Sequence, residues 1–351
     1  MSRRSQSRPT HTARPNIKAV AAHAGAAMSS VSRVLSNHPD TSEAMRQRVM
    51  AAVEELGYRP DLLAQGMRSR TTHSIGFVAG DISNPLLAEI LMGAETTLHD
   101  AGYATLLTNS EGNPGRDIEN IQIFEQRRVD GLLLSVASEG HRGTIASLRR
   151  TQVPIVSIDR NLPASLGASF VLSDHRTGMR AAVEHLLDLG HRRVGLILGT
   201  PVRPSIERQR GMEEAYAHRD LSPLYEVRLG TFSAEHGEAA TAELLDGKDP
   251  PTAIVAGGNQ ILYGALKAIA NRGLELGADL SLISCDAVSL TELYRPPIAL
   301  IKRRPMAMGQ EAARLLLRRL GAGGPETVVL PTEFVARPSC GPPPLHAPLT
   351  N

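Results

Sequence analysis

The chain has no tryptophan, five phenylalanines and six tyrosines in 351 residues. With so little aromatic surface a stacked nucleobase is hard to accommodate, and recognition of a small ligand falls to polar side chains. Cysteine is scarcer still: Cys285 and Cys340 form no CxxC and no Cys/His cluster. That excludes a disulfide framework and a zinc site, fits a reducing compartment, and leaves no cofactor or metal to expect. No apolar run is long enough to span a bilayer, and the opening MSRRSQSRPTHTARPN lacks the apolar core of a signal peptide. The reading is therefore a cytoplasmic protein with no membrane partner. A P-loop, HExxH, GxSxG and a glycine-rich dinucleotide fingerprint are all missing, so no enzyme is expected. The pairs Glu184–His185 and Asp188/His191 read as surface residues of a helix.

The charge is unevenly placed. Residues 1–73 hold 11 Lys/Arg against 5 Asp/Glu, whereas the remainder holds 27 against 31. A cationic head on a slightly anionic body points to a polyanion-binding module joined to something with a different task. Within the head, Ile17 to Leu35 (IKAVAAHAGAAMSSVSRVL) has the pattern of a helix-turn-helix. Ala21 lets two helices approach, Gly25 supplies the turn, and Val31 fills the angle between them. Ile17, Val20 and Ala21 make one apolar stripe; Val31, Val34 and Leu35 make another. Between the stripes lie Met28, Ser29, Ser30, Ser32 and Arg33, small or polar enough to enter a major groove. A third helix, capped by Thr41 or Ser42 and ended by Gly57, presents Met45, Val49, Ala52, Val53 and Leu56 to the first two.

From Ser74 onward, short apolar runs such as SIGFVAG, DGLLLSV, RRVGLILG, TAIVAGG and LSLISCD alternate with amphipathic stretches such as Pro114–Arg127 and His175–Leu189. Ten such runs are recognisable. Continuous apolar strands separated by helices mean parallel sheets covered on both faces, and ten are too many for one unit. The fold class is thus an all-α helix-turn-helix head on an α/β body of two doubly wound lobes. Ligands of such sheets sit beyond the carboxyl ends of the strands. The polar residues placed there are Asp81, Asn84, Asn109, Ser110, Ser135, Asp159, Arg160, Asn259, Gln260 and Asp286, joined by Arg208 and Phe232. Carboxylates, amides and a guanidinium beside one aromatic ring suit a polyhydroxylated ligand. Asn84, Asp159 and Asn259 suit a helix cap or turn equally well.

The stretches IKAVAAHAG, SSVSRVLS, AAVEELGYRP and SIGFV give the chain, from Asn16 to about Ser339, a resemblance to the lactose-repressor (LacI/GalR) family of bacterial transcription regulators. The resemblance implies a repressor whose operator affinity is set by a small-molecule effector, a sugar or sugar derivative. It assigns base reading to Met28, Ser29 and Arg33, and phosphate contacts to Ser30, Ser32, Ser36, Asn37 and Arg46. It also assigns a minor-groove wedge to Met67, followed by Arg68, in a hinge that turns helical on DNA. Effector contacts map onto Arg208, Phe232 and Asp286, with Asn84, Asp159 and Asn259 as further pocket residues, and Asp81, from its place at a strand end, completes the effector-binding candidates.

The implied organisation is a basic arm at 1–15, the helix-turn-helix domain at 16–58, a hinge at 59–72, an effector-binding domain at 73–340 and an unpacked tail at 341–351. One lobe takes about 73–172 and 302–331, the other 173–301 and 332–340. The tail lacks leucine heptads, so a homodimer is expected, joined through Leu86–Leu98 and Pro114–Phe124, on a near-palindromic operator of double-stranded DNA. Two departures weaken the DNA grip: Ala27 stands where family members carry a serine cap, and Ala19 where aspartate is common. Gly66 makes the hinge helix harder to form by up to ~1 kcal/mol. The competing reading is a sugar-binding transport receptor with no DNA role, which would have no use for residues 16–69.

Overall fold

The computed structural model describes residues 15–35, 38–59 and 71–344. The chain divides into two compact units, 1–72 and 73–351. The expectations for the arm, Ser36, Asn37, Gly66, Met67, Arg68 and 345–351 lie outside the described residues.

The first unit holds α1 (Ile17–His23), α2 (Met28–Leu35) and α3 (Glu43–Glu55). Asn16 caps α1, its Oδ1 accepting from the Ala19 N–H at 3.1 Å. Gly25 takes φ +56°, the left-handed conformation that turns the chain between α1 and α2. The Ala27 carbonyl accepts from the Val31 N–H at 3.0 Å, so α2 starts from a cap residue that has no side-chain acceptor. Ser42 caps α3. Val20, Ala21, Ala24, Val31, Val34, Val49 and Ala52 are buried together, ringed by Ile17, Leu35, Met45, Val53, Leu56 and Tyr58.

The second unit contains two six-stranded sheets. Lobe 1 is built from β1 (Ser74–Ala79), α4 (Pro85–Asp100), β2 (Ala104–Asn109), α5 (Pro114–Arg127), β3 (Gly131–Leu134), α6 (Arg142–Arg150), β4 (Ile155–Ile158) and β5 (Ser169–Ser173). The chain then forms lobe 2: α7 (His175–Asp188), β6 (Arg193–Leu198), α8 (Arg203–His218), β7 (Leu224–Leu229), α9 (Ala234–Leu245), β8 (Ala253–Ala256), α10 (Asn259–Asn271), β9 (Ser281–Ser284), α11 (Ser289–Leu293) and β10 (Ala299–Lys302). It returns to lobe 1 as α12 (Pro305–Leu320) and β11 (Thr327–Leu330), and ends in lobe 2 with β12 (Glu333–Val335).

The strand orders are β11-β5-β4-β3-β1-β2 and β12-β10-β9-β8-β6-β7. Every pairing is parallel except that of β12 with β10. The connection therefore passes between the lobes three times, after β5, β10 and β11. Strands GLLL, AIVA and SLIS are buried throughout, as sheets covered by helices on both faces require. Ile75, Phe77, Leu133 and Val156 meet α4 and α12 on one face of lobe 1; Val78, Leu132, Leu134 and Ile155 meet α5 and α6 on the other.

Three sequence expectations change. β11 and β12 are strands that no continuous apolar run announces; both lie at sheet edges and are half-exposed. His191 is not a surface residue but fully buried, contacting Thr252 Oγ1 at 2.8 Å through Nδ1 and Ser281 Oγ at 3.0 Å through Nε2. The tail is packed at its start. The Gly341 carbonyl lies 2.9 Å from His191 Nε2 and accepts from Ser281 Oγ at 3.1 Å, because β9 and the loop before β6 offer buried polar groups that need a partner. Among the described residues no helix is long and apolar enough to cross a membrane.

Candidate effector pocket and nucleic-acid interface

The carboxyl ends of both sheets face one cavity of about 310 Å³ between the lobes. Asp81, Asn84, Asp159, Arg208, Phe232, Asn259 and Asp286 all line it. Asn84 both caps and faces the cavity: its Oδ1 accepts from the Leu86 N–H at 3.0 Å and from Asn259 Nδ2 at 2.8 Å. That second bond joins lobe 1 to lobe 2. Another does the same where the Glu139 carboxylate accepts from the Arg203 N–H at 2.7 Å at the start of α8. Asp81 accepts from the Ser83 N–H and Oγ at 2.9 and 2.8 Å. The Phe232 ring lies against Gly199, where any Cβ would stand 2.4 Å from the ring; a side chain there would displace it.

The floor of the cavity is a buried chain of charges. Arg303 reaches Asp159 through Nη2, Asp286 at 3.2 Å through Nη1, and the Ser173 hydroxyl at 3.2 Å through Nε. Since Asp159 follows a lobe 1 strand and Asp286 follows a lobe 2 strand, one guanidinium ties the lobes together. Arg208 donates to the Gly257 carbonyl at 2.8 Å and lies 3.8 Å from Asp286. His175 sits 2.9 Å from Asp159. Three arginines and four carboxylates line this one cavity. Burial alone would raise the Asp159 carboxyl, but the charges and hydrogen bonds around it, with His175 and Arg303 foremost, hold it well below the usual carboxylate range. Burial pushes His175 down to about 4 against the pull of Asp159. At neutral pH the imidazole is therefore uncharged, and its Nε2–H donates to the ionised Asp159. Asp159 also holds φ +53°, a left-handed backbone that an aspartate adopts at a cost of ~1–2 kcal/mol.

Arg303 and His175, which complete the buried charge chain, and Asp117 behind it are not among the residues that the sequence selects. Arg303 directly follows β10, where the chain makes the second of its three crossings; a cation directly after a buried strand is the available signal. Asp117, on α5, is fully buried and accepts from the Ser110 hydroxyl and from the Ala137 N–H at 2.8 Å. Burial raises its carboxyl while those bonds lower it, with a net rise. It positions the two loops that carry Glu111 and Ala137 to the cavity wall.

On the head, Met28, Ser29 and Arg33 are exposed on α2, with Ser30 and Ser32 half-buried, opposite the buried Val31 and Val34. Arg46 is half-buried on α3 and donates to Thr41 Oγ1 at 3.2 Å.

The family described as bacterial regulatory proteins, lacI family, matches residues 16–61, and the periplasmic binding protein-like domain matches 183–340. The transcriptional regulator DegA of Bacillus subtilis is 32% identical over 92% of this chain and 97% of its own. The ribose operon repressor of Escherichia coli is 31% identical over 87% and 92%. The structure of the Lac repressor dimer bound to operator and the anti-inducer ONPF superposes with a TM-score of 0.82 at 25% identity, covering 93% of this chain and 98% of that one. The chain belongs to the lacI family. It is a DNA-binding transcriptional regulator and not an enzyme, with a helix-turn-helix head and an effector-binding body.

Proposed function

We propose that this regulator is a cytoplasmic homodimeric repressor whose grip on a near-palindromic operator is set by a sugar or sugar derivative held between the lobes. The observation that carries this reading is the joint lining of one inter-lobe cavity by the seven effector-binding candidates, while of the other strand-end residues Ser135 and Arg160 line it and Asn109, Ser110 and Gln260 do not. Asp286, Asp159 and the amides Asn84 and Asn259 offer acceptors and donors for hydroxyl groups, and Phe232 offers an apolar face to a ring. A ligand that bonds Asn84 and Asn259 replaces their mutual bond and so changes how the lobes are latched. The change passes through lobe 1 to the hinge at 59–72 and to the paired heads. It alters DNA affinity only by the ligand's differential affinity for the two states, typically ~1–3 kcal/mol. On the operator, Met28, Ser29 and Arg33 read base edges, with Arg33 placed for a guanine; Ser30, Ser32, Ser36, Asn37 and Arg46 hold phosphates; Met67 and Arg68 enter the minor groove. The relatives support the ligand class: one is a ribose operon repressor, and the Lac repressor binds ONPF.

Thermal shift of the full chain against sugars, sugar acids, sugar phosphates and purines tests the pocket. A sugar-class compound raises the melting temperature of wild type and not of Asp286→Asn; stabilisation by no compound in the set overturns the effector reading. Selection from random duplexes tests the head. An inverted repeat is the expected winner, and no preference under any ligand condition removes the operator reading.

A further inference from the structure

The charged groups that line the inter-lobe cavity do not cancel one for one. Arg303 bonds Asp159 and Asp286, and Glu111 pairs with Arg116. Asp81 spends Oδ1 on the N–H and hydroxyl of Ser83, in a turn whose Ile82 and Ser83 are exposed to solvent. Arg208, from lobe 2, bonds the Gly257 carbonyl and has Asp286 beside it at 3.8 Å.

Arg160, from lobe 1, is the exception. It follows β4 by two residues, is half-buried and lines the cavity. Its hydrogen bonds go to backbone carbonyls, from Nε to Val136 at 2.8 Å and from Nη1 to Asp159 at 2.9 Å. Among the described residues Nη2 donates to no group, and no carboxylate lies within ion-pair reach of this guanidinium.

An arginine on the outer surface needs no partner, because water solvates it; one in a cavity wall does. Burial acts on Arg160 and Arg303 alike, with opposite results. Arg303, touching two carboxylates, is held above its ordinary value. Burial pushes Arg160 below it, although Asp159 and Glu139 attract it from beyond contact. Arginine keeps its proton in a protein, so the cost remains as an unpaired charge. The two carbonyls explain where the side chain is held, since a neutral amide can donate to them as well. They do not explain a full positive charge.

We propose that the effector carries an anionic group, a carboxylate or a phosphate ester, and that Arg160 binds it. The inference rests on the effector reading above and narrows it from sugars in general to acidic ones. Nη2 and the remaining N–H of Nη1 make the planar fork that suits two oxygens of either anion.

Isothermal titration of the full chain with matched compounds tests this: D-ribose, D-ribonate and D-ribose 5-phosphate, then D-glucose, D-gluconate and D-glucose 6-phosphate. In wild type an acidic member binds ~10–100-fold tighter than its neutral parent, the worth of a charged hydrogen-bonded pair. Which acidic member it is separates carboxylate from phosphate. Arg160→Gln brings acid and parent to parity, whereas Arg160→Lys keeps the preference. A merely structural Arg160 would weaken both members and leave their ratio as it was, which overturns the assignment. The wild-type preference is read without any variant. Neutral sugars binding as tightly as their acids overturn the inference and leave the effector reading standing. Inorganic phosphate binding as tightly as the sugar phosphates overturns it too, as does silence of all six compounds. The effector reading itself falls only if the wider thermal-shift set is also silent.

Discussion

Head and body put their functional groups on opposite sides of their cores. The head buries seven small apolar residues and, among its described residues, no polar or charged one. Its proposed base-reading residues, Met28, Ser29 and Arg33, stand exposed on α2, where Met28 is 49% exposed, opposite the buried Val31 and Val34. The body does the reverse. Asp159, Arg208, Asp286 and Arg303 are all under 10% exposed. Ion pairs out of water repay desolvation only while every partner is present. In the head, recognition and stability are therefore separable, whereas in the body they are the same interactions.

The strongest break of that comparison is Arg303→Ala. It leaves Asp159 and Asp286 buried without their shared cation and lowers the stability of the body by ~3–5 kcal/mol. Calorimetry of the full chain is expected to show the body's transition falling while the head's stays in place. Next comes pH. Unfolded His175 takes a proton below about 6.5, but the folded residue resists until about 4. Body stability thus falls as pH drops through that window, by ~3 kcal/mol at its end, and the loss stops growing below it. His175→Gln abolishes this limb in urea melts collected at stepped pH. The ionised Asp159 contributes its own loss only below the ordinary aspartate value of 3.8, so the two windows are distinct.

For the head, Arg33→Ala costs ~1–3 kcal/mol of discrimination at one base pair of each half-site and leaves the body's melting transition unchanged, as read by site selection and calorimetry. The smallest effect sharpens the contrast from the other side. Ala27→Ser supplies α2 with the side-chain acceptor it lacks and raises the head's stability by ~1 kcal/mol with no change in the body.

Much of the fold was legible because it is written in local pattern. Gly25 takes the left-handed turn that its position between two apolar stripes called for. The runs GLLL and AIVA announced buried parallel strands by being apolar at every position. β11 and β12 gave no such signal, since an edge strand has one neighbour and is stabilised by pairing with residues far along the chain: Thr327 lies beside Phe170, and Leu300 beside Val335. The pocket was half legible. Polar residues after buried strands were the right places to look, yet nothing local separates Asn84 the cap from Asn84 the latch, and in the fold it is both.

By itself the sequence determined the kinds of parts: a cationic three-helix head, an alternating α/β body, and polar groups at the strand ends. These follow from periodicity, glycine placement and charge, which act over a few residues. Only the tertiary structure decided that Arg303 would join Asp159 and Asp286 and that His175 would stay neutral. Such outcomes depend on burial and on distances between residues 16, 17 and 144 positions apart, and desolvation and Coulomb attraction take their sign and size from that geometry alone.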